Sequence, residues 1–246
     1  MPVIDMYFYN NWRSEGLNIM VTDSYHIDLE QFSVERFQEI IENSEMLPSR
    51  KILQEKTSER FALLKLMEIH NLQELVNALN SKKQIEQFAQ RSGISQEYLE
   101  ILRRQTKIYT PEPVTLKAFP GIDTRHIEGL AALGIHNSRQ LLRVAKTVDE
   151  RNILSTQVGV PETALLELVQ LSDLVRAGWV GPIFARLIYE ADACSVQALA
   201  TQSPQALFTQ LCLINKEQKL TEAVFTLKDI TSCIEIARML PTVMIL

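Results

Sequence analysis

Two stretches of this chain repeat one another, without a gap, at a constant offset of 66 residues. Leu64 aligns with Leu130, the run Ile69, His70, Asn71 with Ile135, His136, Asn137, and Leu75 with Leu141. Further along, Gly93 meets Gly159, Leu99 meets Leu165 and Leu102 meets Leu168. Conservative pairs fill the intervals, such as Met67 with Leu133, Phe88 with Leu154 and Ile94 with Val160. A third, weaker copy runs from Leu187 to Ala200 and puts Cys194 and Ser195 where His136 and Asn137 stand. A repeat of this period implies small units that cannot bury their apolar faces alone and must stack on one another.

The units read as helices. Leu29, Phe32, Phe37, Ile40 and Ile41 recur at roughly helical spacing, as do Phe61, Leu64, Met67 and then Leu72, Leu75, Val76, Leu79. Ser95 opens a helix that closes on Arg103 and Arg104, the polarity that the helix dipole favours. Pro161 stands where the first turn of another helix begins. His70 and His136 precede Asn71 and Asn137 in equivalent copies, so this pair reads as a turn followed by an N-cap rather than as catalytic histidine. The expected fold is all-α, made of tandem short helices, with a short β-hairpin or extended arm at the N-terminus. Residues 1–28 form that arm and 29–108 the first helical domain. The proline-bearing stretch 109–118 is the linker, because Pro111 and Pro113 forbid a continuous helix. Residues 119–246 form the second domain. The aromatic group Tyr7, Phe8, Tyr9 and Trp12 reads as local packing, with a partner-binding arm as the alternative, and Trp179 as packing between repeats. The apolar tail Met244, Ile245, Leu246 is expected to dock on the body or on a partner.

Composition removes several classes of function. No stretch approaches the ~20 uninterrupted apolar residues of a membrane span, and the N-terminus lacks a basic lead-in to an apolar core, so a cytoplasmic protein is expected. Three cysteines, Cys194, Cys212 and Cys233, lack metal-ligand spacing and read as core thiols, which leaves no metal or cofactor to expect. Neither a nucleophile elbow nor a P-loop nor paired catalytic carboxylates occur, so no catalytic residue is assigned and no small-molecule substrate is implied.

The net charge of −5 is unevenly spread. Residues 101–146 carry eight basic side chains (Arg103, Arg104, Lys107, Lys117, Arg125, Arg139, Arg143, Lys146) against three acidic ones, between two acidic flanks. Such a stretch makes either a local anion-binding face or an ordinary solvated one.

Within it, Pro120, Gly121, Ile122 and Asp123 lead into a helix bearing Ile127, Leu130 and Leu133, which stops at Gly134 and Ile135. This pattern resembles the helix-hairpin-helix family, in which a glycine hairpin opens a helix and a leucine followed later by Gly-Ile ends it. Gly181 and Pro182 resemble a second hairpin; residues 54–80 resemble the motif only faintly, with no glycine at the hairpin. The whole is similar to uncharacterised bacterial proteins with tandem helix-hairpin-helix-like domains. The resemblance implies sequence-independent binding of the DNA backbone, with hairpin N–H groups and the helix dipole cradling a phosphate. On this chain that role falls to Lys117, Gly121, Ile122, Thr124 and Arg125, with Arg139, Arg143 and Lys146 alongside. Two departures weigh the other way: Asp123 replaces the family's second glycine, and Pro182 removes a donor from the Gly181 hairpin. The alternative is an adaptor whose repeats have lost phosphate binding and contact another protein or a second copy. The glycosylase-type catalytic lysine is absent from the hairpin, where Thr124 and Arg125 stand instead.

Overall fold

Asn71 and Asn137 each begin a helix, and they do so with the same chemistry. Both are extended (φ −140° and −142°), and both side chains accept the backbone N–H three residues on. Glu74 and Gln140 return the bond to the Asn N–H, which completes a capping box in each copy. Ser195 caps the third copy by its side chain alone, accepting the Ala198 N–H, at φ −155°. Each such cap contributes about 1 kcal/mol to its helix. The three preceding turns also agree. Glu68, Gly134 and Asp192 are left-handed (φ 61°, 78° and 60°). The N–H groups of Ile69, Ile135 and Ala193 then reach back to the carbonyls of Leu64, Leu130 and Ile188. The turn-and-cap reading of the histidine pairs therefore holds, with the asparagines as caps.

The computed structural model describes residues 25–46 and 48–245. The N-terminal arm expected over 1–28 falls almost wholly outside them, as do Tyr7, Phe8, Tyr9, Trp12 and Leu246. The architecture is all-helical. Among the described residues no strand forms, and the only bridges are the isolated Ser33–Asn71 and Thr115–Asn137 contacts. α1 (Val34–Asn43) and a 3₁₀ segment (Pro48–Gln54) lead in. Four helices follow: α2 (Thr57–Leu66), α3 (Leu72–Ala78), α4 (Lys82–Ser92) and α5 (Gln96–Thr106). Four more run as α6 (Thr124–Ala132), α7 (Ser138–Val144), α8 (Val148–Val158) and α9 (Glu162–Leu174). The starts of α3, α4 and α5 map onto those of α7, α8 and α9 at the 66-residue offset read from sequence. The third set is α10 (Pro182–Glu190), α11 (Val196–Ala200), α12 (Pro204–Gln218) and α13 (Leu227–Met239).

Equivalent positions supply the core. Leu64, Leu130 and Ile188 are buried, as are Leu75, Leu141 and Leu199. At a third equivalent set, Leu72 and Val196 flank Ser138, a buried hydroxyl that takes part in hydrogen bonds with the Tyr25 hydroxyl at 2.7 Å and the Val114 N–H at 3.0 Å. Buried apolar side chains form one cluster from Tyr25 to Met244. The stretch 109–118 carries the buried Tyr109 and Leu116 and a short 3₁₀ turn (Leu116–Ala118). Gly178 presses so closely on this side of the molecule that an added Cβ would lie 2.2 Å from the Ile108 carbonyl oxygen. The apolar tail docks on the body: Met244 is buried, and Ile245 donates to the Lys146 carbonyl and accepts from Arg151, both at 2.9 Å.

The three copies solve one problem differently. The first N–H of α3 and of α7 (Leu72, Ser138) is satisfied by a backbone carbonyl of a segment arriving from earlier in the chain, Phe32 and Val114. The corresponding N–H of α11, on Val196, instead meets the carboxylate of Asp173 at 2.8 Å. Asp173 is wholly buried and paired with Arg176, also wholly buried, whose guanidinium donates further to the carbonyls of Tyr25 (3.1 Å) and Pro241 (2.7 Å). A buried carboxylate without such a cation would be strongly unfavourable.

Candidate functional site

The hairpin of Pro120 to Asp123 turns at Gly121, whose φ of +81° is the left-handed geometry that glycine adopts at least cost. Gly121 is exposed, and α6 starts three residues on. The hairpin is braced from α10. Arg186 Nε donates to the Pro120 carbonyl at 3.1 Å, and its guanidinium lies 3.4 Å from the place a Gly121 Cβ would take. Arg186 is itself held by Glu167 (2.5 Å) and Glu190 (3.3 Å) and is almost fully buried. This arginine is committed to structure, and it brings two carboxylates with it.

Asp123 decides the electrostatics of the mouth. It caps α6, its Oδ1 accepting the Arg125 N–H at 2.9 Å, and its carboxylate takes the Arg125 guanidinium at 2.5 Å. Those bonds from Arg125 hold the Asp123 carboxyl down at about 2, so it is ionised at any physiological pH. The carboxylate therefore occupies an N–H that an incoming phosphate oxygen would need, and it neutralises the nearest cation. Arg125 is exposed and Asp123 half-buried, so solvent screens the pair and a stronger anion can compete for Arg125.

The other sequence-assigned residues scatter in role. Ile122 is half-buried against the core, and Thr124 is exposed at the first position of α6. Lys117 is exposed in the 3₁₀ turn, and the bridge between Thr115 and Asn137 sets it beside the start of α7. Arg143 is exposed at the end of α7. Lys146 is half-buried and uses its carbonyl to hold the C-terminal tail. Arg139 turns inward: its guanidinium lies 4.7 Å over the Tyr25 ring and its Nη2 sits 3.2 Å from the His26 ring nitrogens. Its reading as a phosphate contact meets this internal engagement, which a 113-residue separation kept from view in the sequence.

The second hairpin corrects the sequence reading in a different way. Its turn falls on Trp179, not on Gly181. Trp179 has φ 74° and stands at the place equivalent to Gly121, whereas Gly181 has φ −81° and serves as the N-cap of α10. A bulky residue in the left-handed region costs on the order of 1–2 kcal/mol. Nor does Trp179 pack between repeats: it is 51% exposed, with the Arg50 guanidinium 4.6 Å over its ring. Searching for glycine alone could not find this turn.

Among the described residues no helix is long and apolar enough to cross a membrane, and no group of His, Cys, Asp and Glu side chains is arranged to hold a metal ion. Cys233 is a core thiol, Cys194 is half-buried and Cys212 is exposed, so the core reading fails for the last. Residues 120–240, from the Gly121 hairpin to the end of α13, match a family model described as a domain of unknown function (DUF4332). No curated protein and no solved structure matches the chain.

Proposed function

We propose that this is a non-catalytic adaptor, built on helix-hairpin-helix-like units whose phosphate cradle has been closed, and that its partners are proteins. The observation that carries the reading is Asp123, which caps α6 and engages Arg125 at the Gly121 hairpin. Arg186 with Glu167 and Glu190 supports it from the other side, because a carboxylate-rich brace repels a polyanion. The same architecture serves nucleic-acid and protein contacts, so retention of the units does not require retention of DNA binding.

The DNA-backbone reading keeps one specific support: Lys117 and Arg143 are exposed at the two ends of the α7 region, beside a glycine turn of the required hand. Anisotropy of a fluorescent ~20-base-pair duplex separates the two. On the adaptor reading, the wild-type chain shows little binding at low salt. Asp123→Gly, which restores the family's glycine and releases Arg125, gains salt-sensitive binding whose log–log slope is steeper by about 0.9 per phosphate neutralised. If the wild-type chain already binds with steep salt dependence, and a Lys117→Glu, Arg143→Glu variant that remains folded loses that binding, the adaptor reading fails and the DNA reading stands.

A further inference from the structure

A cleft of about 950 Å³ opens between α1 with the adjoining 3₁₀ segment, the end of α5, and α13. Trp179 and Arg50 stand together on its wall, with Ile40, Met46, Ile108 and Met239 supplying apolar surface. Two independent features mark this corner. Trp179 is held in the left-handed region and half-exposed, although glycine would make the same turn without strain. Arg50 is half-buried, yet no carboxylate lies within ion-pair distance of it among the described residues. One amino group of Arg50 donates to the buried Gln105 side chain at 2.7 Å, and the guanidinium carbon lies over the Trp179 ring. Nε and the second amino group carry no hydrogen bond to the described protein, so a planar anion has donors available. Burial, with Arg104 nearby, makes the Arg50 charge harder to hold, and an arriving anion would relieve that.

Resting on the adaptor reading, we propose that this cleft docks a segment of a partner protein that presents one carboxylate to Arg50 and an adjacent apolar side chain to Trp179. Charge complementarity selects a carboxylate, because Arg50, unlike Lys228 with Glu45 on the same cleft, has no carboxylate within ion-pair distance among the described residues. Glu39, Glu45, Asp229 and Glu235 also line the cleft, which restricts the occupant to a single acidic residue beside apolar ones rather than an acidic run. The aromatic ring, the flanking apolar wall and a desolvated arginine together make the kind of anchor point at which binding energy concentrates.

The test uses a displayed library of random dodecapeptides selected on the full chain, with the best peptide then measured by fluorescence anisotropy. The expected result is a consensus with one Asp or Glu next to an apolar residue. Binding is then about tenfold weaker to Arg50→Met, a loss of ~1.4 kcal/mol, and largely retained by Arg50→Lys. Trp179→Gly, which removes the ring while relieving the turn, keeps the fold and also weakens binding. No enrichment, a basic consensus, or peptides that bind Arg50→Met and Trp179→Gly as well as the wild type would each overturn the proposal. A 20-base-pair duplex that competes for this corner would overturn it together with the adaptor reading. If the peptides fail and the duplex does not bind either, only the cleft assignment falls.

Discussion

Arg176 offers the sharpest test of how the three copies are held together. Both it and Asp173 are wholly buried, and their pairing satisfies more than each other. Arg176→Met would leave the Asp173 carboxylate without its cation, and breaking a buried pair from one side costs about 3–5 kcal/mol. It would also take donors from the carbonyls of Tyr25 and Pro241. For a chain of this size each kcal/mol lowers Tm by roughly 2–4 °C, so a fall of about 10 °C is expected in thermal melts followed by circular dichroism. The informative variant is the double replacement Asp173→Leu, Arg176→Met. An ion pair that served only itself would be replaced at little cost, since apolar residues avoid the desolvation penalty. Here three backbone groups would be left behind: the Val196 N–H and the carbonyls of Tyr25 and Pro241. Each unsatisfied buried group costs about 1–3 kcal/mol. The double variant should therefore remain destabilised by roughly 3 kcal/mol or more, though by less than the sum of the single effects. Urea unfolding that places it within about 1 kcal/mol of wild type would refute the reasoning and reduce the pair to a local contact.

Three further outcomes follow from geometry already described. Gly178→Ala sets a Cβ against the Ile108 carbonyl at 2.2 Å and should cost at least the ~1–3 kcal/mol of an overpacked core, seen as a lowered urea midpoint, whereas Gly93→Ala meets nothing within 4 Å and bears only the strain of its φ of +73°. Thiol labelling followed by intact mass should modify Cys212 first and Cys233 only on unfolding, because burial pushes the Cys233 thiol up to about 12. Asp123 should titrate by carboxyl NMR at about 2, with the midpoint rising in Arg125→Ala. A depressed folded pKa stabilises the native state above the unfolded value, about 3.9. That contribution is lost as pH falls towards 2, so the Asp123 cap should be insensitive to pH above roughly 5.

Local chemistry was the legible part of this chain. The His-Asn pairs announced turns and caps because an Asn side chain can satisfy an orphan N–H within its own few residues. Helix starts followed the 66-residue offset because the apolar positions that define the core follow it too. Asp123 is visible in the sequence as a departure from the hairpin pattern, and it acts as a cap. What stayed hidden depends on pairing across the chain. The basic stretch predicts a phosphate contact for Arg139, and in the fold its guanidinium lies against Tyr25 and His26. The sequence reads Trp179 as packing between repeats and not as a turn, because sequence rules place glycine at a left-handed turn, and here the rule is broken. Arg50 gave no signal at all: the Trp179 ring it faces lies far along the chain.

The carboxylate of Asp173 bears on the spacing of the array. A backbone carbonyl can be delivered to the first turn of a helix only by another length of chain, and α3 and α7 each have such a leader ahead of them. Before α10 the corresponding place is already the last turn of α9, and a side chain reaches out to do the leader's work. The third copy consequently follows the second at an offset of 58 rather than 66, shorter by about the length of the extended segment it no longer needs. The period of this molecule is thus set as much by how one N–H is answered as by the helices themselves.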